Sequence, residues 1–137
     1  MNYAEISKET FAHLYKSRAS LKKSPLDQSI ILLVELRISQ INGCAYCCDI
    51  HLEEAKNFGI IQEKLDLLPT WQQATETFTI KERLALRWCE AITRLEKDIA
   101  EAKKRLPQHF SDREIVDLSA TTAIMNALNR IAISLGT

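Results

Sequence analysis

Apolar residues recur at helical spacing along most of the chain, and the breaks between runs are few and well marked. From Tyr3 to Ala19, the positions Tyr3, Ile6, Phe11, Leu14 and Tyr15 fall at loosely helical intervals. Ser24 and Pro25 open the next segment, with Pro25 suited to a first-turn position. Leu26 to Ile41 is apolar nearly all round, through Ile30, Ile31, Leu32, Leu33, Val34, Leu36 and Ile38. This predicts a buried helix, with a buried strand as the competing reading for its middle. Asn42 and Gly43 break the run, a further helix is expected from near Cys44 to Phe58, and Gly59 is placed to cap it. Ile60 to Phe78 reads as short helical pieces interrupted by Pro69. Thr79 with Glu82 forms a capping-box pattern ahead of an amphipathic helix running to about Glu96. Asp98 to Arg105 predicts a short helix ended by Pro107. Ser111 with Glu114 repeats the capping box before Ile115, Leu118, Ile124, Leu128, Ile131 and Leu135.

Composition narrows the fold. Only three Gly and three Pro occur in 137 residues, too few for a turn-rich sandwich or barrel. The expectation is all-α: a single-domain helical bundle over residues 1–137. Lys plus Arg equals Asp plus Glu at 18 each, so no long-range field favours nucleic acid or an anionic membrane. No run approaches the roughly 18 apolar residues of a membrane span, and Met1 to Lys8 lacks the apolar stretch of a signal peptide. No Gly-rich phosphate loop or dinucleotide fingerprint is visible, so NAD, flavin and ATP are not expected and no cofactor is assigned. Four cysteines in such a chain do not read as an extracellular disulfide framework. The expected compartment is the cytoplasm, where clustered thiols suggest redox or metal chemistry.

The informative string runs from Asn42 to His51 and contains Cys44, Cys47 and Cys48. On a helix starting near Cys44, the positions of Cys44, Cys47 and His51 share one face. Unpaired N–H groups and the positive dipole end at a helix start favour a thiolate over a thiol. His51, one turn beyond Cys47, can relay a proton or hold a water. Inert packing is one alternative, since cysteine is a common core residue. Zinc held by Cys44, Cys47 and His51 is another, but it lacks an obvious fourth ligand among Cys48, Cys89, His13 and His109. Cys48 and Cys89 read as packed small hydrophobes, and His13 and His109 as ordinary surface or capping residues.

The stretch from Leu36 through Asn42, Gly43, Cys44, Ala45, Tyr46 and Cys47 to His51 resembles the AhpD-like branch of the carboxymuconolactone decarboxylase superfamily. The likeness extends through Leu68 to Trp71, Phe78 to Arg83, His109 to Ser111, and Asn126, Asn129 and Arg130. It implies an all-α fold, homo-oligomeric assembly (hexamer or trimer ahead of dimer) and reduction of hydroperoxides by the CxxC pair. By position, Cys47 would be the peroxidatic thiolate, Cys44 the more accessible resolving thiol, and His51 the group that supports deprotonation of Cys47. An external dithiol, lipoyl-bearing or thioredoxin-like, would then reduce the disulfide at Cys44. Dipole physics taken alone gives the lower pKa to Cys44, nearest the helix start; the resemblance reverses that order.

Two departures stand out. Members of the branch place a Glu twelve residues before the first Cys, where this chain has Leu32. Glu35, one turn along, is the candidate replacement, pairing with His51 or a bridging water; a structural ion pair is the alternative. The His between the cysteines is replaced by Tyr46, a poor base at neutral pH. Competing functions are a disulfide reductase or adaptor serving a separate peroxidase, lactone decarboxylation, and a non-enzymatic oligomer with a redox-sensitive interface. The nearly all-apolar Leu26–Ile41 segment suggests cover from partner subunits, and Ala120, Ala123, Ala127 and Ala132 offer a close helix contact.

Overall fold

The computed structural model describes residues 1–136, and every regular element among them is helical. Two helices, α1 (Tyr3–Ile6) and α2 (Lys8–Ser20), share the predicted first segment and are parted by non-helical Ser7. Then come α3 (Gln28–Asn42) and α4 (Ala45–Phe58), followed by α5 (Gln62–Leu67) and a 3₁₀ turn at Leu68–Thr70 that contains Pro69. The chain ends with α6 (Ile80–Thr93), α7 (Ile99–Lys103), a 3₁₀ turn at Leu106–Gln108 and the long α8 (Asp112–Leu135).

The helix starts follow local chemistry. Thr79 and Ser111 both close the full reciprocal capping box with Glu82 and Glu114. Pro25 does not enter the first turn of α3 as expected. Asp27 caps that helix, its carboxylate accepting the Ser29 N–H at 2.9 Å. Ser24, held extended by the ring of the following proline, belongs to the connection instead. The amphipathic helix α6 stops at Thr93 rather than near Glu96.

Helix α3 is the axis of the fold, with α4, α6 and α8 packed around it. Ile30, Ile31, Leu33, Val34, Leu36 and Ile38 are each 5% exposed or less. At roughly 1.5–3 kcal/mol per buried aliphatic side chain, this helix alone anchors much of the core. The chain itself supplies that cover, so the burial of these residues does not depend on partner subunits. The same helix also buries Glu35, Arg37 and Ser39. Each is partnered: Arg37 Nε donates to Glu90 Oε1 at 2.6 Å, and Ser39 Oγ donates to the Glu35 carbonyl at 2.9 Å. Glu90 is further satisfied by Trp71 Nε1 at 2.9 Å, Gln72 Nε2 at 3.2 Å and Arg94 Nη1 at 3.1 Å.

The N-terminal pair α1–α2 is attached more lightly. Phe11 is the buried residue of α2 and α1 has none. Tyr3, Phe11 and Tyr15 stack in series, with ring centroids 4.9 and 6.1 Å apart. This aromatic ridge borders the site described next.

Candidate active site

Gly43, with φ of 68°, ends α3 in the left-handed conformation and turns the chain directly into α4. Cys44 is thereby the N-cap of α4, and its Sγ accepts the Cys47 N–H at 3.3 Å. Cys44 and Cys47 are joined as a disulfide with their Cα atoms 5.2 Å apart. A sulfur at this position faces unpaired helix N–H groups, which favour negative charge on it once the bond is reduced.

Cys44 is 3% exposed and Cys47 6%, so both residues are buried and Cys44 does not stand out as the more exposed of the two, as the resemblance implies it should. Cys47, not Cys44, lines a cavity of about 170 Å³ between α2, α4 and α8. The cap position draws Cys44 back onto the helix end, while Cys47, one turn in, projects from the inner face. Phe11, Ile50, Met125 and Leu128 make most of the cavity wall apolar, and Tyr3, Tyr15 and Tyr46 supply phenols around it. Arg18, His51 and Asn129 are its other polar groups.

His51 lies on the same face of α4 as Cys47, buried, and lines the same cavity. Its Nδ1 is 3.0 Å from Glu54 Oε2 and 3.6 Å from Glu35 Oε2. Glu35 is held by Arg18 of α2, whose Nε donates to Oε1 at 2.9 Å and Nη2 to Oε2 at 2.7 Å. Arg18 Nη2 also donates to Glu54 Oε2 at 2.6 Å, and Nη1 to Glu54 Oε1 at 3.3 Å. One guanidinium thus ties two carboxylates from different helices beside one imidazole. Burial opposes the charge on Glu54, but the hydrogen bonds and positive charge of Arg18, with a contribution from His51, hold its carboxyl below the usual range. The same carboxylates, Glu35 first, hold the Arg18 guanidinium firmly protonated.

Glu35, His51 and Glu54 bring one ligand-type atom each within 4.8 Å of one another. Arg18 already supplies the cation that such a carboxylate pair needs, and it takes up oxygens that a metal would require. The cluster therefore reads as an ion-pair network. The sulfurs of Cys44 and Cys47 are bonded to each other and His51 is turned through Nδ1 to carboxylates, an arrangement unlike a shared zinc site.

A sequence model of the carboxymuconolactone decarboxylase family matches residues 7–91, more than half of the chain and the whole of this site except Tyr3 and the α8 wall. The chain belongs to that family. Among solved structures, it is similar to ATU0492 of Agrobacterium tumefaciens, a protein of unknown function provisionally described as the antioxidant defence protein AhpD. The TM-score is 0.91 at 34% identity, covering 98% of this chain and 92% of that one. An uncharacterized peroxidase-related protein from Silicibacter sp. TM1040 shares the fold, with a TM-score of 0.74 at 22% identity over 92% of this chain and 66% of that one. The uncharacterized protein YdfG of Bacillus subtilis (strain 168) is 28% identical over 99% of this chain and 93% of its own length. This is an AhpD-like member of the carboxymuconolactone decarboxylase family, with its CxxC pair at a helix start.

In this AhpD-like chain, Leu32 is a partly buried apolar residue on α3 and Glu35 is the carboxylate on that helix which reaches the site. Tyr46 is half exposed at the cavity. Cys48 packs beside the core on another side of α4, and burial, then Asp49, pushes its thiol up. Cys89 is fully buried in α6, and burial pushes its thiol far up. His13 is exposed next to Glu9, and His109 caps a 3₁₀ turn away from the cavity. Sequence reasoning missed Arg18 and Glu54. Glu54 carried a signal, lying three residues after His51 and seven after Cys47 on the same helical face. Arg18 carried none, because only the packing of α2 against α3 and α4 brings it there. No helix among the described residues is long and apolar enough to cross a membrane.

Proposed function

We propose that the protein is a thiol-dependent peroxidase that reduces hydroperoxides through a Cys44–Cys47 dithiol/disulfide cycle. The observation that carries this reading is a redox-bonded CxxC pair at a helix N-terminus, with Cys47 and His51 facing one largely apolar cavity. In the reduced enzyme His51 takes the Cys47 proton. The Cys47 thiolate attacks the terminal oxygen of ROOH and the O–O bond breaks. The sulfur becomes a sulfenic acid, and the alkoxide leaves as ROH with the proton held by His51. The Cys44 sulfur then attacks the sulfenic sulfur, the S–O bond breaks, and the departing hydroxide takes up the Cys44 thiol proton, so that the disulfide forms and water leaves. An external dithiol, lipoyl-bearing or thioredoxin-like, reduces the pair by thiol–disulfide exchange and is itself oxidised to a disulfide. Homo-oligomeric assembly is part of this proposal.

The test is a mass-spectrometric thiol count with and without hydroperoxide, alongside peroxide consumption driven by a defined dithiol. The wild type should lose two thiols as the Cys44–Cys47 link, and Cys44→Ser should accumulate sulfenic acid at Cys47. Disulfide exchange with the dithiol but no peroxide consumption would instead identify a reductase or adaptor.

A further inference from the structure

We infer that Glu54, held in place by Arg18, is the positioning residue that orients His51 toward Cys47. Glu35 serves as the anchor for Arg18. The inference rests on the peroxidase reading only for its purpose, not for its geometry.

Glu54 Oε2 is within hydrogen-bond distance of His51 Nδ1 at 3.0 Å, whereas Glu35 Oε2 stands at 3.6 Å. Both Glu35 oxygens are engaged by Arg18, Oε1 at 2.9 Å and Oε2 at 2.7 Å, in a fork-to-fork pair. An ionised carboxylate only accepts, so Nδ1 must carry the proton in its bond to Glu54. In the neutral ring Nε2 is then the bare nitrogen. No buried side-chain nitrogen lacks a partner among the described residues, so Nε2, which makes no hydrogen bond, is not sealed within the protein, and His51 lines the cavity that Cys47 also lines. A neutral imidazole with a free lone pair is the form a general base needs.

The groups facing His51 are Arg18 from α2, Glu35 from α3, and Cys47 and Glu54 from α4; α8 contributes the neutral Asn129. Glu54 is the more exposed carboxylate, with 37% of its side-chain surface open against 3% for Glu35. Without the guanidinium it would be free to swing into solvent. Arg18 therefore acts through Glu54, and the register of α2 sets the orientation of the base on α4.

The experiment uses nitrogen-15 NMR of His51 in the reduced full chain at neutral pH, with the rate of Cys47 alkylation by iodoacetamide in a Cys44→Ser background. Wild type should show the Nδ1–H tautomer. Glu54→Met should lose that tautomer preference and alkylate about tenfold more slowly, the equivalent of one lost charge-assisted hydrogen bond. Arg18→Lys, which cannot fork between two carboxylates, should weaken the preference in the same direction. An Nε2–H tautomer in wild type, an unchanged tautomer and rate in Glu54→Met, or loss of the Nδ1–H signal in Glu35→Gln but not in Glu54→Met would overturn the assignment. Peroxide consumption is read separately. The expected tautomer and alkylation results with no wild-type turnover would sink the peroxidase reading and leave this one standing.

Discussion

Ala132 of α8 lines the same cavity as Cys47, and together with Cys44 the two residues form a small apolar cluster separate from the main core. The contact comes from the last turns of a 24-residue helix whose start is fixed far away by the Ser111 capping box. The alanine stripe on α8 thus has a concrete use at one position: a small side chain lets the helix approach the sulfur pair. Ala123, by contrast, is exposed.

Enlarging that residue should disturb the redox pair before it disturbs the fold. Ala132→Leu forces extra methyl groups into a closed contact, at a cost of roughly 1–3 kcal/mol. Because Ala132 also lines the cavity, the added volume narrows access to Cys47. We expect slower Cys47 oxidation by bulky hydroperoxides than by small ones, measured as a ratio of second-order rates. A uniform slowing for all oxidants would point to loss of sulfur-pair geometry rather than to access.

Glu90 offers a test of the core that leaves the cavity untouched. Its carboxylate is 1% exposed and accepts from Arg37, Trp71, Gln72 and Arg94. Glu90→Ala strands Arg37, itself only 8% exposed, without its counter-charge. Breaking a buried pair in this way costs about 3–5 kcal/mol, a fall in Tm on the order of 10 °C for a domain of this size. Differential scanning calorimetry or urea unfolding gives the number. A change below about 1 kcal/mol would mean that the pair is solvated in solution.

Much of this architecture is legible in the sequence because helix ends are local chemistry. Thr79 with Glu82, Ser111 with Glu114, and Gly43 and Gly59 each mark a boundary through a hydrogen bond or a left-handed turn that near neighbours make. The alignment of Cys44, Cys47 and His51 follows from the same short-range periodicity. What sequence could not supply is anything made by two helices meeting. The Leu26–Ile41 run reads as apolar nearly all round, yet it buries Glu35 and Arg37, whose partners Arg18 and Glu90 are 17 and 53 residues away. Glu35 was a reasonable candidate for the acid beside His51, and it does reach the site. Its engagement by a guanidinium on α2 is a tertiary fact.

Acid should release α2 before it unfolds the rest. Arg18 holds the Glu54 carboxyl below its ordinary range against the opposing effect of burial, so Glu54 favours the folded state when ionised. A depressed folded pKa gives stabilisation that is complete above the unfolded value, about 4.3 for Glu, and fades as pH drops through the lower folded value. Glu54 is partly exposed, so the effect is local and modest. Since α2 buries Phe11 and is tied to α3 and α4 by the Arg18 clasp, its amides should lose hydrogen-exchange protection, relative to the intrinsic rate at each pH, below about pH 4 while those of α3 and α8 stay protected. Simultaneous loss of protection in all three helices would contradict a locally acting clasp.

Gly43 gives a test of how the redox pair is aimed. Its φ of 68° lies in the left-handed region, and a Cβ built there would meet nothing within 4 Å. Any penalty for Gly43→Ala is therefore backbone strain, roughly 1–2 kcal/mol, with no steric part. Asn tolerates the left-handed region better than Ala, so Gly43→Asn should lose less stability. The turn matters beyond stability because it delivers Cys44 into the N-cap, where its sulfur accepts the Cys47 N–H. A chain that relaxes away from the left-handed turn moves Cys44 off the helix end and separates it from Cys47. We expect disulfide formation after oxidation to slow in Gly43→Ala and to recover substantially in Gly43→Asn, followed by stopped-flow thiol loss. Equal slowing in both variants would show that glycine is needed there for some reason other than its backbone angle.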